Sequence, residues 1–441
     1  MSSVILLLTI LTLGFFSLKS LKNPGYALGI LWAMFSVEQY LQSASGFFVQ
    51  YRSLVNFGIT GLAIWAIGLS YLRGQLPSLK LTRQHFWWLG LMLWTCLSLL
   101  WSVNYGTSMA KLKENAPYII AFVLVGPYCL SAKQLPHAVR VTLVLGTLIL
   151  LGIATTGFGR RSIVITLDTG QTMEGNPLAI ATYGGYVAIC CVFSLYAQRN
   201  TLKSFGKLLM IGLILLSLYC IVRTGSRGQL IFVAVACFIW LPITAKMAAK
   251  RSSIMALGFG FCIVLAGIYI LAETGVRRWE SQFMEQASNG RLNMCTKILK
   301  ANYDAGAFAW LGGLGTSSSF VVVGFYPHNV PVEVLAEEGI IGAFCLVGFL
   351  FSVTFLGYRT LRQPNLDPDS RLQVGILLAL FTFEFGLGLK QGSMLGSVGL
   401  FGTGLCIAMS AAKLKAKRHF PNMIVQSSAH PMYGTMNRTG N

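Results

Sequence analysis

Arg223 and Arg227 stand four residues apart in RTGSRG, a short Gly-Ser stretch between two apolar runs. A guanidinium is a fixed positive charge whose planar fork binds phosphate bidentately. Backbone N–H groups in such a turn, and the start of the helix that follows, favour an anion as well. Arg160 and Arg161 in FGRRS, Arg277 and Arg278 in VRRWE, and Arg291 in NGRL place further cations in other polar gaps. Together they suit a phosphorylated lipid head group. The alternative, in which these side chains snorkel to bulk lipid or pair with Glu273, Glu280 and Glu285, stays open, most of all for Arg277 and Arg278. His328 lies in FYPHNVPVEVLAEEGIIG, flanked by Pro327, Asn329 and Pro331, where polar sequence gives way to a long apolar run. Imidazole is the side chain best suited to accept a proton near neutral pH, which makes His328 the candidate base. Asn329, Glu337 and Glu338 are its candidate supports. Glu333 and Glu337 are four apart and share a helix face, where a carboxylate could orient His328 or an arginine, bind a sugar hydroxyl, or merely cap and pair. No HExxH, GxxxxGK[ST], GxSxG or Cys/His ligand cluster occurs, so neither a metal nor a cofactor is expected.

The elements that must position these groups are membrane helices. The 441 residues are 54% apolar and 11% charged, whereas a soluble protein carries about 25% charge. Unbroken apolar runs recur at roughly 4–19, 24–41, 52–72, 85–102, 115–131, 137–157, 177–197, 206–222, 228–246, 253–271, 330–357, 371–390 and 392–411. They are too long and too uniform for a β-barrel, whose strands alternate. The expected fold is an all-α polytopic integral membrane protein of about 12 or 13 transmembrane helices, the uncertainty being whether the first run crosses. Val4 to Leu18 lacks a basic leader and an A-x-A site and is expected to stay as a span. The expected division is 1–271 as the N-terminal bundle, 272–329 as a helical outer subdomain, 330–412 as the C-terminal helices and 413–441 as a basic tail. Within 272–329, two short amphipathic helices and a Gly-rich turn, WLGGLGTSSS, are expected.

The net charge of +20 does not signal nucleic acid. Alternate gaps, counted back from the tail, hold 21 of the 34 Lys and Arg and only two acids, Asp367 and Asp369. This is the positive-inside pattern. It predicts a cytoplasmic C-terminus and puts 158–176 and 272–329, with RTGSRG and His328, on the outer face. His85, His137 and His419 then fall at cytoplasmic ends and His430 in the tail, leaving His328 the one outer histidine. Of ten cysteines, nine lie in or beside apolar runs and read as small buried hydrophobes, and Cys295 alone falls in an outer segment, so no disulfide framework is expected.

RTGSRGQLIFV (223–233), NGR (289–291) and G-x-G followed by HN…EEGIIG (313–342) resemble the O-antigen ligase and polymerase (Wzy_C) superfamily, over roughly 150–360. The resemblance implies a GT-C-like, metal-independent glycosyltransferase of a bacterial inner membrane. Its donor would be a glycan on polyprenyl (undecaprenyl) diphosphate, used on the periplasmic face. His328 matches the family's proposed catalytic histidine; Arg291, Arg223 and Arg227 match its loop and TGSRG arginines; Arg160 or Arg161 falls where an earlier loop arginine is common. Asn289 stands where the family usually has Ser, and the R-x10-G spacing of polymerase loops is absent after Arg160, Arg161 and Arg291. That favours an O-antigen ligase acting on lipid A-core over a Wzy-type polymerase or a protein O-oligosaccharyltransferase. Asp367-Pro-Asp369 looks like the metal-binding DxD of soluble glycosyltransferases but sits in a basic loop and reads as a turn. The rival from another class is a transporter or flippase, which would carry ionisable groups near the bilayer midplane; Glu384 is the most interior one here. A membrane scaffold is a third reading. The expected partners are the lipid-linked donor, a lipid A-core or other glycan acceptor and the bilayer.

Overall fold

Apolar runs of this length satisfy their backbone in lipid only as helices, and the computed structural model shows that outcome. It describes residues 2–74, 81–130, 134–156, 163–166, 172–175, 177–197, 203–245 and 281–419. The first half comprises α1 (Ser2–Ser20), α2 (Gly25–Ala44), the short α3 (Gly46–Gln50), α4 (Arg52–Leu72), α5 (Arg83–Ser98), α6 (Tyr105–Ile119) and α7 (Leu135–Thr156). An antiparallel ribbon, β1 (Ile163–Thr166) with β2 (Thr172–Gly175), follows and lies against α2. Then come α8 (Pro177–Ala197), α9 (Ser204–Arg223) and α10 (Arg227–Thr244). The second half has α11 (Ser281–Asp304), the short α12 (Ala307–Gly312) and α13 (Ser319–Val322), α14 (Val330–Glu337), α15 (Gly339–Leu361), α16 (Pro368–Gly388) and α17 (Val398–His419).

The chain is thus an all-α polytopic membrane protein with one small ribbon in a loop. Among the described residues seven helices, α4, α7, α8, α9, α10, α15 and α16, are long and apolar enough to cross a bilayer. The expected span at 253–271 lies outside the described residues. α8 and α16 are mostly enclosed by their neighbours, whereas α9 and α15 turn most of their surface outward. Lipid tails give helices no hydrophobic reason to associate, so close packing at small residues does it. A Cβ on Gly185 of α8 would fall 2.4 Å from the Phe383 ring of α16, and one on Gly152 of α7 2.5 Å from Tyr40 of α2.

The structure revises several boundaries. The run expected at 115–131 begins as α6 ten residues earlier, capped by Asn104, whose Oδ1 accepts from Thr107 N at 3.0 Å. Beyond Pro117 it loosens into a π segment, Ile120–Val125, and a 3-10 turn, Gly126–Cys129. The two expected amphipathic helices are one, α11, running through Gly290. The last apolar run begins only at Val398, because Leu389 to Ser397 form a folded turn.

The largest revision is at 330–357, expected as one span. It breaks at Glu338 into α14 and α15 because Gly339 adopts φ 65°, and the Gly-rich turn, far from being a loose connector, is buried against the break. A Cβ on Gly339 would fall 2.4 Å from Leu311 O, and one on Gly313 (φ 83°) 2.0 Å from Glu337 O. Gly339→Ala is therefore expected to cost at least about 2 kcal/mol, from left-handed strain and the clash together. Gly61→Ala in α4, where nothing lies within 4 Å, serves as control. Thermal unfolding in detergent should show a lower transition for the first variant alone; equal transitions would contradict the packing described.

Candidate active site

Three segments meet at one end of the bundle. The first is the α9–α10 turn. Gly225, at φ 68°, lets the chain reverse in three residues, with Gly225 N bonded to Val222 O at 2.9 Å and Thr224 Oγ1 donating to Ile221 O at 2.7 Å. Arg223 is exposed at the end of α9, and Arg227, half-buried, is the first residue of α10. Ser226 occupies the N-cap position without capping. Its Oγ is buried and has no hydrogen-bond partner among the described residues.

The second segment is α11 with the turn it supports. Ile298, Ala309, Leu314 and Ala336 form a small separate core. Asn302 Nδ2 ties it together by donating to Ala309 O at 2.8 Å and Ala336 O at 2.9 Å. Cys295 Sγ donates to Pro327 O at 3.6 Å, so α11 holds the turn that carries His328. Arg291, one helical turn before Cys295, lies close enough to both Arg227 and His328 for its charge to act on each.

His328 has φ 59°, a left-handed conformation that non-glycine residues hold only when their surroundings impose it. Its ring is set against Tyr326 (centroids 4.6 Å apart, T-shaped) and Phe325 (5.4 Å). Nδ1 is buried with no partner among the described residues. Burial, and next the charge of Arg291, lower its pKa below the ordinary histidine value. The imidazole is thus neutral at pH 7 and able to accept a proton.

Asn329 begins α14, its Oδ1 accepting from Val332 N at 3.1 Å, while its Nδ2 donates to Leu389 O at 3.2 Å. That contact brings in the third segment, Leu389 to Gln391. Lys390 Nζ donates to Gln229 Oε1 at 3.4 Å, and Gln229 Nε2 donates to Gln391 Oε1 at 2.9 Å. Sequence reasoning missed Lys390 and Ser226. Lys390 closes the apolar run expected at 371–390, where hydropathy gives it no distinguishing signal.

The carboxylates brace turns. Glu337 Oε2 accepts from Ser317 N at 2.6 Å and Oε1 from Ser319 N at 2.9 Å. Glu338 Oε1 lies 2.7 Å from Thr316 Oγ1, which also donates to Thr95 O at 2.7 Å. One hydroxyl has one proton to give, so Glu338 bonds well here as the carboxylic acid, donating to Thr316. Glu333 Oε1 accepts from Met394 N at 3.2 Å. These contacts fix the Gly-rich turn and the α16–α17 turn around the His328 segment. Arg160, Arg161, Arg277 and Arg278 lie outside the described residues. Glu384, the most interior acid, is hydrogen-bonded to Tyr186.

With the geometry in place, comparison with known families finds one match, over part of the chain. Residues 211–347 match the O-antigen ligase family model, Wzy_C. The Wzy_C stretch runs from α9 to the first turns of α15 and holds Arg223, Arg227, Arg291, His328, Asn329, Glu337 and Glu338, whereas Arg160, Arg161 and Lys390 fall outside it. No curated protein matches the chain. The Wzy_C match makes the chain O-antigen ligase-like in that region and points to a glycosyltransferase or ligase type of activity.

Proposed function

We propose that the protein is an inner-membrane glycosyltransferase that moves a glycan from a polyprenyl diphosphate carrier to an acceptor hydroxyl, as an O-antigen ligase acting on lipid A-core. The observation that carries this reading is a neutral, half-buried histidine beside an arginine whose charge also reaches Arg227 at the start of α10, all within the Wzy_C stretch. A sugar joined to diphosphate already has a good leaving group. Catalysis then needs charge stabilisation on the departing diphosphate and a base for the acceptor. The acceptor oxygen forms a bond to the anomeric carbon as the bond from that carbon to the diphosphate oxygen breaks. Its electron pair leaves on the diphosphate, where Arg227 and Arg291 take up the charge a divalent cation would otherwise balance, with Arg223 and one of Arg160 or Arg161 as further candidates. The acceptor proton passes to His328.

In this reading the site faces the periplasm and the C-terminus lies in the cytoplasm. Support comes from the charge asymmetry, which assigns the helix ends bearing Arg371 and Lys413 to the cytoplasm. Purified protein in proteoliposomes with lipid-linked glycan, lipid A-core and a chelator tests the reading. Formation of a new glycosidic bond is expected; a donor merely moved across the bilayer, with no bond formed, would favour a flippase instead.

A further inference from the structure

Four rings run together at the turn that carries His328. Gly324, at φ 79° with open space where a Cβ would stand, turns the chain out of α13 and sets Phe325 and Tyr326 side by side, their centroids 4.1 Å apart. Phe320 of α13 meets both edge-on, at 5.8 Å and 6.0 Å. The His328 ring continues the row from Tyr326 and Phe325. The candidate base is thus one end of an aromatic ledge and Phe320 the other. Beyond Phe320 stands an ion pair: Lys111 of α6 lies over the Phe320 ring, 4.9 Å from its centroid, and meets Glu114 at 2.7 Å.

The ledge is displayed rather than buried. Val322 and Val323, from the same segment, pack onto the small core of Ile298, Ala309, Leu314 and Ala336, whereas Phe325, a larger apolar side chain, is left 44% exposed. Left-handed backbone at Gly324 and at His328 brackets the two rings, so the fold itself holds them out. Aromatic faces with a few polar groups at the margin suit a saccharide ring. The C–H bonds on one face of the sugar lie against the aromatic rings, and its hydroxyls need donors and acceptors at the edge. Both kinds are in place, Lys111 with Glu114 at one end and the His328 imidazole at the other. An acyl chain has no use for either end, and leucine would serve it as well as phenylalanine.

We propose that Phe325 and Tyr326, with Phe320 and the Lys111–Glu114 pair, form a saccharide subsite that holds a sugar ring of the acceptor and delivers its hydroxyl to His328. The proposal rests on the transferase reading above, and the acceptor is the sugar assigned because the ledge ends on the group that takes the acceptor proton. The first test is calorimetric binding of the deacylated core oligosaccharide of lipid A-core to the full chain in detergent micelles. Phe325→Leu keeps an apolar side chain and removes the ring, and should bind about tenfold more weakly, the upper part of what one aromatic contact contributes. Tyr326→Leu should behave alike and is read beside it, so that misfolding of one variant leaves the other; Phe325→Trp should keep most of the affinity. Wild-type affinity in both leucine variants, or no saccharide binding by the wild type, would overturn the assignment. In proteoliposomes Phe325→Leu should raise the acceptor KM about tenfold and leave the donor KM in place. A raised donor KM would give the ledge to the donor glycan, and a lower kcat at unchanged acceptor KM would make the rings mere supports for His328; either result contradicts the proposal. Ring-dependent saccharide binding without any glycan transfer would uphold the subsite and sink the transferase reading. Transfer that needs His328 and is indifferent to both rings would do the reverse.

Discussion

His328→Ala is expected to lower the transfer rate by about a hundredfold or more, the range for removal of a general base, while the protein folds and inserts normally. The ring contributes little to packing: it is half-buried, and its contacts are Phe325 and Tyr326, themselves at the rim. Replacing it also relieves no essential bond, since Nδ1 makes none among the described residues. Donor binding should survive, because the cations of the site are untouched. Rates with saturating donor and acceptor, beside a melting curve, separate the possibilities. A folded variant that binds farnesyl diphosphate and transfers at near wild-type rate would rule out the base.

Arg291→Ala is expected to act twice. It removes a cation from the diphosphate site, lowering kcat/KM by about a hundredfold if a bidentate charged contact is lost. It also removes the charge that helps depress His328, the second cause after burial. In the wild type the depressed histidine stays in its basic form as pH falls past the ordinary value of about 6.5, so the acid limb of kcat/KM should lie below that pH. Without Arg291 the histidine titrates higher, and the limb should move up, toward 6.5. A structural role for Arg291 alone would lower activity at every pH without moving the limb. An unshifted limb would show that the two groups do not communicate.

Part of this arrangement was legible before any coordinates. Charge asymmetry leads the sequence reading to expect Arg227, Arg291 and His328 on one side, and in the structure the charge of Arg291 reaches both Arg227 and His328. Lys390 was not legible, because hydropathy makes it the last residue of a span and its place across Gly228 and beside Gln229 comes from tertiary packing. The break in the 330–357 run was half legible. EEG is a poor sequence for a helix interior, yet the apolar residues on either side hid it, and the break packs against a buried turn around Gly313, in the 272–329 segment that hydropathy reads only as loop. The carboxylates illustrate the same limit. Spacing placed Glu333 and Glu337 on one face, but that they hold the backbone of Met394, Ser317 and Ser319 depends on contacts between segments far apart in the chain.

The central claim, that one pocket joins the cations of α10 and α11 to His328 and receives the donor's diphosphate, is tested most directly by a structure of the full chain with a polyprenyl diphosphate-linked sugar bound. Phosphate oxygens within about 3 Å of the Arg227 and Arg291 guanidinium nitrogens, with the anomeric carbon on the side facing His328, are the expected result. A diphosphate bound away from both arginines, or a sugar on the far side of α10 from His328, would contradict the account.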